Sequence, residues 1–560
     1  MFGRRSYGFW AAVVILLARL AIIDMDPPVL AITAHYPKDE GFYSALAYDL
    51  HEHGQVYRDG PRGVFGIPMV TNIMAYVGLE LFGNNYLGMR FGSLFLGLVA
   101  LFTFQVLLRR VTSDVLLLNV LPLLLVIDVQ FTFATIVVEP TIARMAVALL
   151  TVLWISGRSH TTSLLTWMAV GFFVMLSIVA AYPSNGFILV AVAFYIIWCF
   201  FVRGDARTWF RHLLLPLTFF GLGVIMAVVA YFLVPLLFSI NEYDFMFRRG
   251  TEYTQRVGIT VLDIVKNIMT IPMGGIFRFH PAMLLLLTTA LLLIPMKDPR
   301  KWSRTAAGVY LFTVAFLLQC AFLNDFPLRK ITFIWPFVLL LGAILREHWS
   351  EGPSAWGLGS WLFRNRIRIF SAMVLCVAIQ AVFYYRLSTS ETPLVLRSSL
   401  TGFFSLIAVV LLALALFYNW LSTRIWWALL VAVLLLPGAV NTYLHVIRYR
   451  TYLHRDFMIG LNSFGDARFV GGWSMGFRLY NTIDAVVNPY QYRGARISYN
   501  AAWDVVRDVA RADPRVNYSI GIEQDRPYFL SRGFLEHRRV EMRYPDGTVD
   551  PYIIFIEAQE

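Results

Sequence analysis

The chain has 560 residues, of which 58% are apolar and only 15% are charged, and its mean hydropathy is +0.63. A soluble globular protein carries about 25% charged residues, and its core cannot absorb this much apolar surface, so the composition excludes a soluble protein and predicts a membrane domain. The net charge of +12 does not indicate a nucleic-acid-binding protein, because the cations stand in short groups between apolar runs and form no single basic face.

The first apolar run extends from about Phe9 to Ile23 and follows Arg4 and Arg5. No small-residue cleavage site comes after it, so we predict an uncleaved first membrane span. About thirteen apolar runs are long enough to cross roughly 30 Å of hydrocarbon. They centre near residues 16, 99, 124, 149, 171, 194, 227, 289, 314, 339, 377, 411 and 433.

The run Ile67–Phe82 is short and contains Thr71, Asn72 and Glu80, so we predict an interfacial helix along the membrane surface instead of a span. With this helix left out and the N-terminus in the cytoplasm, every cytoplasmic turn is basic, as the positive-inside rule requires. The cations of these turns are Arg109, Arg110, Arg158, Arg203, Arg207, Arg211, Lys297, Arg300, Lys301, Arg304, Arg346, Arg364, Arg366, Arg368 and Arg424. If the run were counted as a span, every turn from Arg109 onward would lie on the opposite side of the membrane.

The same threading places two long loops, 24–88 and 241–281, on the outer face of a transmembrane domain that covers residues 1–444. Residues 445–560 are less apolar and are predicted to form a small mixed α/β domain outside the membrane. A helical period over Tyr499–Ala512 and short strands at Tyr518–Ile522 and Tyr552–Ile556 support this prediction.

Two groups of acids on the predicted outer face are candidate catalytic residues. Asp39 and Glu40 open a segment with helical apolar spacing, where acids are also favoured simply as a helix cap. Glu139 lies before Pro140 at the outer end of an apolar hairpin, where a carboxylate is costly without a partner. The alternative for Glu139 is a solvated turn acid, for which Arg144, one helical turn further on, is a candidate structural partner.

Cations on the outer face break the orientation rule and are therefore candidates for ligand binding. Arg329 and Lys330 stand just before the span Ile331–Leu345, where they fit the phosphate of a substrate and that of a lipid headgroup equally well. Glu252 and Arg256, four residues apart, are either binding residues or an ordinary surface pair. The three cysteines lie inside apolar runs, and neither they nor the histidines show a metal-ligand spacing.

Five motifs follow one another along the predicted outer face. They are Asp39-Glu40-Gly41-Phe42-Tyr43, then Pro68 with the stretch Leu81–Arg90, Val138-Glu139-Pro140, Glu252-Tyr253-Thr254-Gln255-Arg256, and Arg329-Lys330 up to Pro336. In this order the motifs resemble those of the GT-C glycosyltransferases. The resemblance is greatest to the bacterial aminoarabinose transferases that modify lipid A and to their protein-mannosyltransferase relatives. It covers roughly residues 10–345, and Gly66-Ile67 stand where the relatives carry Glu-Lys before the proline.

The resemblance implies transfer of a sugar from a polyprenyl-phosphate carrier to an extracytoplasmic glycan, glycolipid or protein, by an enzyme of the inner (plasma) membrane. It implies Asp39 as the base, with Glu40 as the substitute if Asp39 is only a cap, and Tyr43 within the same motif. Arg329 and Lys330, with Arg256 in reserve, would hold the leaving phosphate, while Glu139 and Glu252 would position the sugar or assist the base. No cofactor is predicted, and a divalent metal ion stays open.

Two other functions compete with glycosyl transfer. A transporter or flippase for a lipid-linked substrate would use the same spans and outer cations, but it should carry polar groups near mid-membrane and paired repeats. A non-catalytic scaffold that presents the C-terminal domain would not require the clustered outer acids and cations.

Overall fold

The computed structural model describes residues 6–23, 69–83, 86–136, 140–159, 162–181, 186–202, 209–237, 299–322 and 327–350, with shorter pieces elsewhere and the secondary structure between 518 and 557. Helices dominate the described membrane domain. They are α1 (Tyr7–Leu17, continued by a 3-10 turn Ala18–Ile22), α2 (Met69–Phe82), α3 (Tyr86–Val111), α4 (Val115–Ile127), α5 (Val129–Ile136), α6 (Pro140–Ile155), α7 (Leu164–Ala181), α8 (Phe187–Phe201), α9 (Leu215–Leu237), α10 (Arg304–Phe322) and α11 (Pro327–Ser350).

Three of the described helices are long and apolar enough to cross a membrane by length and composition, namely Leu87–Val111, Phe210–Ala230 and Arg304–Ala321. Six further apolar helices are shorter, among them the first predicted span. The chain is therefore a polytopic helical membrane protein, as the composition indicates. The number of spans stays a prediction.

The core of the bundle surrounds α11, which packs against α3, α4, α6 and α10. Its middle, from Ile334 to Leu345, is almost wholly buried, and Trp335 is among the largest fully buried side chains. A helix of 24 residues is about 36 Å long, so α11 runs from one end of the bundle to the other.

Helix α2 confirms the predicted helix at Ile67–Phe82 and turns back alongside the first half of α3. Gly83, with φ of 79°, makes this reversal, because a left-handed conformation costs glycine little. The close approach of the two helices depends on small residues, since a Cβ on Gly92 would lie 2.5 Å from Met74 Cβ. The orientation of α2 relative to a bilayer is still a prediction.

The apolar run centred at residue 124 is not one helix, because Asp128 interrupts it. Asp128 has an extended conformation (φ −59°, ψ 132°), which ends α4. Its side chain then starts α5, since Oδ1 accepts a hydrogen bond from the Phe131 backbone N–H at 2.9 Å. The result is a short helix, α5, placed immediately before the Val138-Glu139-Pro140 motif.

One end of the bundle, which we call the basic end, collects the turns that carry Arg109, Arg110, Arg158 and Arg346. Arg110 Nη1 donates to Ser156 Oγ at 2.9 Å, Thr112 Oγ1 donates to Glu347 Oε2 at 2.9 Å, and Arg346 Nε lies 3.7 Å from Asp114 Oδ2. The structure thus brings together helix ends that the charge pattern assigns to one side of the membrane. Assignment of that side to the cytoplasm is a prediction.

The C-terminal region contains a three-stranded antiparallel sheet in the order β1 (Tyr518–Gly521), β3 (Val549–Glu557), β2 (Phe534–Arg543), with a helix α12 (Arg526–Ser531) between β1 and β2. Two of these strands confirm the short strands predicted near Tyr518 and Tyr552. The sequence did not predict β2, in which a register shift between Glu536 and Arg538 interrupts the two-residue alternation. The helix predicted at Tyr499–Ala512 lies outside the described residues, and the domain boundary at 444/445 stays a prediction.

Candidate functional site

Three buried arginines occupy the end of the bundle opposite the basic end, which we call the buried-arginine end. Arg19 is 4% exposed, Arg90 is fully buried, and Arg144 is 2% exposed. They come from the 3-10 turn after α1, the first turns of α3 and the first turns of α6. A buried guanidinium in an apolar bundle costs free energy unless hydrogen bonds satisfy it, so each marks a point where the structure constrains the chain.

Arg19 binds the junction between α4 and α5. One of its terminal nitrogens donates to Phe131 O at 3.4 Å and to Thr135 Oγ1, and the other donates to Thr132 Oγ1 at 2.9 Å and to Val126 O. The guanidinium carbon also lies 5.4 Å from the centre of the Phe131 ring, within the range of a cation–π contact. Asp128 supplies a favourable charge nearby.

Arg90 holds the end of the first predicted span, because its Nη1 donates to the backbone carbonyl of Ile23 at 2.8 Å. Ile23 is the last residue before the segment 24–88, predicted to be an outer loop, which carries Asp39, Glu40 and Tyr43. Arg90 therefore fixes the end of the 3-10 turn Ala18–Ile22 against α3.

The later part of the same loop is joined to α2 by two polar contacts. Asn72 Oδ1 accepts from the Ala47 backbone N–H at 3.4 Å, and His51 Nδ1 lies 3.0 Å from Glu80 Oε1. The hydrogen bond from His51 lowers the pKa of the Glu80 carboxyl below its usual range. These contacts tie the segment that follows the Asp39-Glu40 motif to the α2–α3 pair.

Arg329 and Lys330 lie in the first turn of α11. Because Glu347, near the other end of α11, is bound at the basic end, this first turn lies toward the buried-arginine end. The helix dipole disfavours cations in a first turn and favours anions there. A bound anion would therefore stabilise two neighbouring cations at this position. The sequence predicts that this anion is a phosphate.

The other predicted site residues, Asp39, Glu40, Tyr43, Glu139, Glu252 and Arg256, lie outside the described residues. Their roles remain predictions from the sequence. In the part of the chain that the structure describes, no group of three His, Cys, Asp or Glu side chains is placed to hold a metal ion.

The sequence did not single out Arg19, Arg90 or Asp128 as parts of the site's framework. These residues could have been found from the sequence because each is charged and lies inside or beside an apolar run. In a membrane bundle, such a residue indicates a buried polar contact. The partner of such a residue cannot be read from the sequence, because the partner is far away along the chain. Arg19 and Thr135, for example, are separated by 116 positions.

No protein-family model matches the chain, and no curated protein matches it. Among solved structures, ArnT from Cupriavidus metallidurans bound to undecaprenyl phosphate aligns with a TM-score of 0.52 at 14% sequence identity, covering 99% of this chain and 98% of ArnT. The chain has the ArnT fold. The apo structure of ArnT aligns over 98% of this chain and 99% of its own, with a TM-score of 0.48 and 13% identity. Since the second score is below 0.5, the assignment of the ArnT fold depends on the first alignment.

Proposed function

We propose that the chain is a membrane glycosyltransferase that moves a sugar from a polyprenyl-phosphate carrier to a hydroxyl of an extracytoplasmic acceptor. The observation that carries this proposal is the fold, which matches over nearly the full length a protein crystallised with undecaprenyl phosphate. The five ordered motifs, which resemble those of the lipid A aminoarabinose transferases, support the same reaction class. The acceptor is a glycolipid, a polysaccharide or a protein.

The reaction needs a base for the attacking hydroxyl and cations for the leaving group. As the acceptor oxygen bonds to the anomeric carbon, Asp39 takes the hydroxyl proton, with Glu40 as the substitute. The bond between the anomeric carbon and the phosphate oxygen breaks, and its electron pair leaves with the polyprenyl phosphate. Arg329 and Lys330 hold that charge in the first turn of α11, where the helix dipole adds to their effect.

The remaining residues of the five motifs would orient the substrates. Glu139 and Glu252 position the sugar or assist the base, Tyr43 belongs to the same motif as Asp39, and Arg256 is a second cation for the phosphate. On this proposal, the buried-arginine end faces away from the cytoplasm and the basic end faces the cytoplasm of a plasma-membrane protein. The grouping of Arg109, Arg110, Arg158 and Arg346 at one end supports this orientation.

A transporter or flippase for a lipid-linked substrate is the second candidate, and one observation favours it. The interruption at Asp128 makes a discontinuous helix, which transporters commonly use at their binding sites. However, the Arg19 side chain occupies this interruption and takes up backbone carbonyls there, which leaves fewer free groups for a transported ion.

The test is a transfer assay with the full chain in lipid nanodiscs and a radiolabelled polyprenyl-phosphate sugar. Loss of a general base should make Asp39→Asn at least about 100-fold slower than wild type. The matched control is Asp114→Asn at the basic end. An asparagine side chain can still accept the hydrogen bond that the Leu116 backbone N–H donates to Asp114 Oδ1. The transfer rate of Asp114→Asn should therefore stay within about threefold of wild type.

Full activity of Asp39→Asn would remove Asp39 as the base. If the wild-type chain transfers no sugar but moves labelled polyprenyl phosphate across a liposome membrane, the transporter would replace the transferase.

A further inference from the structure

The interruption between α4 and α5 creates a problem that Arg19 solves. A helix that ends inside an apolar bundle leaves backbone carbonyls without partners, and no water is available there to satisfy them. Val126 O, near the end of α4, accepts from Arg19 Nη2 and from Thr132 Oγ1 at 3.3 Å. Phe131 O, in the first turn of α5, accepts from Arg19 Nη1 at 3.4 Å in addition to Thr135 Oγ1. A cation is also favoured at the C-terminal end of a helix such as α4.

The acceptors of the guanidinium all belong to one short segment, 126–135. Two are backbone carbonyls, and the other two are the hydroxyls of Thr132 and Thr135. Both hydroxyls also donate to carbonyls of the same segment, Thr132 Oγ1 to Asp128 O at 2.8 Å and Thr135 Oγ1 to Phe131 O at 3.0 Å. The planar fork of one arginine thus fixes α5 at both of its ends relative to α1.

Helix α5 is short and leads directly to the candidate carboxylate. It ends at Ile136, Val138 is buried with 1% exposure, and Glu139 precedes Pro140 at the start of α6. Only three positions of the chain, 137–139, separate α5 from α6, so the helix that Arg19 holds immediately precedes the segment that carries Glu139. Gly97 of α3 adds a close contact to the same Thr135 side chain that Arg19 binds, because a Cβ on Gly97 would lie 2.5 Å from Thr135 Cγ2.

We propose that Arg19 is a positioning residue for Glu139, which acts by clamping the α4–α5 junction. This inference rests on the proposed role of Glu139 in sugar transfer, but the clamp itself is a property of the fold. Arg19 does not contact the substrate. It holds α5, which precedes Glu139 by only three positions in the chain, so loss of the clamp should lower kcat more than it raises KM for the lipid donor.

The test for the clamp is hydrogen–deuterium exchange of the segment 126–140 in nanodiscs. Arg19→Lys keeps the charge but loses the fork, and the milder double variant Thr132→Val with Thr135→Val removes two acceptors and leaves Arg19 in place. Each should speed exchange in this segment by about tenfold or more, since at least two hydrogen bonds of the junction are lost in each variant. The matched controls are Arg110→Gln, whose guanidinium makes similar contacts at the basic end, and Thr103→Val, a buried hydroxyl that bonds to Val99 O of its own helix.

The test for positioning is kinetic. The threonine double variant should lower kcat about tenfold and change KM for the donor less than about twofold. In a Glu139→Gln background the same double variant should have almost no further effect, because the residue it positions is already disabled. A merely structural role would give the same loss in both backgrounds, and that result would overturn the proposal.

The two proposals fail in different ways. If the Arg19→Lys and threonine variants exchange in 126–140 no faster than the Thr103→Val and Arg110→Gln controls, the clamp proposal is wrong. That conclusion does not depend on the activity of the protein. If exchange rises as expected but the wild-type chain transfers no sugar, the clamp stands and the proposed function is wrong.

Discussion

The two ends of the bundle use arginine in different ways. At the basic end, Arg346 and its partner Asp114 keep side-chain exposures of 32% and 29% and form a pair that water still reaches. At the buried-arginine end, Arg19 and Arg90 lose nearly all contact with water and bind backbone carbonyls. An exposed ion pair contributes little to stability, whereas a buried cation is tolerated only where it completes the structure. The basic end therefore carries a topology signal, and the opposite end carries a constrained framework.

The largest difference in stability is expected between the variants Arg90→Gln and Arg346→Gln. Arg90→Gln removes a charged, fully buried hydrogen bond to Ile23 O and should destabilise the protein by about 2–3 kcal/mol. Arg346→Gln breaks a partly exposed pair and should cost about 1 kcal/mol or less. Thermal unfolding of both variants in the same detergent gives the comparison. Equal losses of stability would mean that burial does not distinguish the two ends.

A smaller difference in stability is expected between alanine substitutions at two glycines, Gly97 and Gly221. A methyl group on Gly97 would meet Thr135 Cγ2 at 2.5 Å, so Gly97→Ala should destabilise by about 1–3 kcal/mol through overpacking beside the Arg19 junction. No heavy atom lies within 4 Å of a Cβ added at Gly221, so Gly221→Ala should be neutral or stabilise α9 by about 0.5–1 kcal/mol. The measurement is again the unfolding temperature. A neutral Gly97→Ala would show that α5 does not need this close contact.

The smallest effect is expected at the C-terminal sheet, where four side chains that water reaches, Glu523, Arg526, Glu536 and Arg539, form ion pairs. Arg539 Nε donates to Glu536 Oε1 at 2.8 Å, and this hydrogen bond is the main reason that the pKa of Glu536 lies below its usual value. Because the folded-state pKa is the lower one, the pair stabilises the sheet above the unfolded pKa and loses its effect as the pH falls through the folded pKa.

Arg539→Gln should therefore raise the pKa of Glu536 toward the ordinary carboxyl value and move the acid-induced loss of the sheet to higher pH. A carboxyl carbon NMR titration of the full chain measures that pKa directly. An unchanged pKa would mean that the exposed pair is broken in solution.

The sequence predicted the helices well where one apolar run forms one helix, as in α3 and α10. It failed at Asp128, since the apolar residues on either side predict a single span, whereas Arg19, which binds the junction, comes from a distant part of the chain. It also failed at β2, where a bulge disturbs the alternation. The position of Arg329 and Lys330 before a helix was predictable, and the structure adds that both lie in its first turn. The acids of the proposed site lie outside the described residues, so their roles stay predictions from local spacing and from the motifs.

If the proposed function is right, a lipid phosphate binds at the buried-arginine end and not at the basic end. The most direct measurement is the Kd of the purified chain for undecaprenyl phosphate, compared between two double variants that each remove two neighbouring cations. Arg329→Gln with Lys330→Gln should weaken binding at least about tenfold, because charged hydrogen bonds to phosphate are lost. Arg109→Gln with Arg110→Gln, at the basic end, should change the Kd less than about twofold. Equal weakening by both double variants, or no binding by the wild-type chain, would contradict the account.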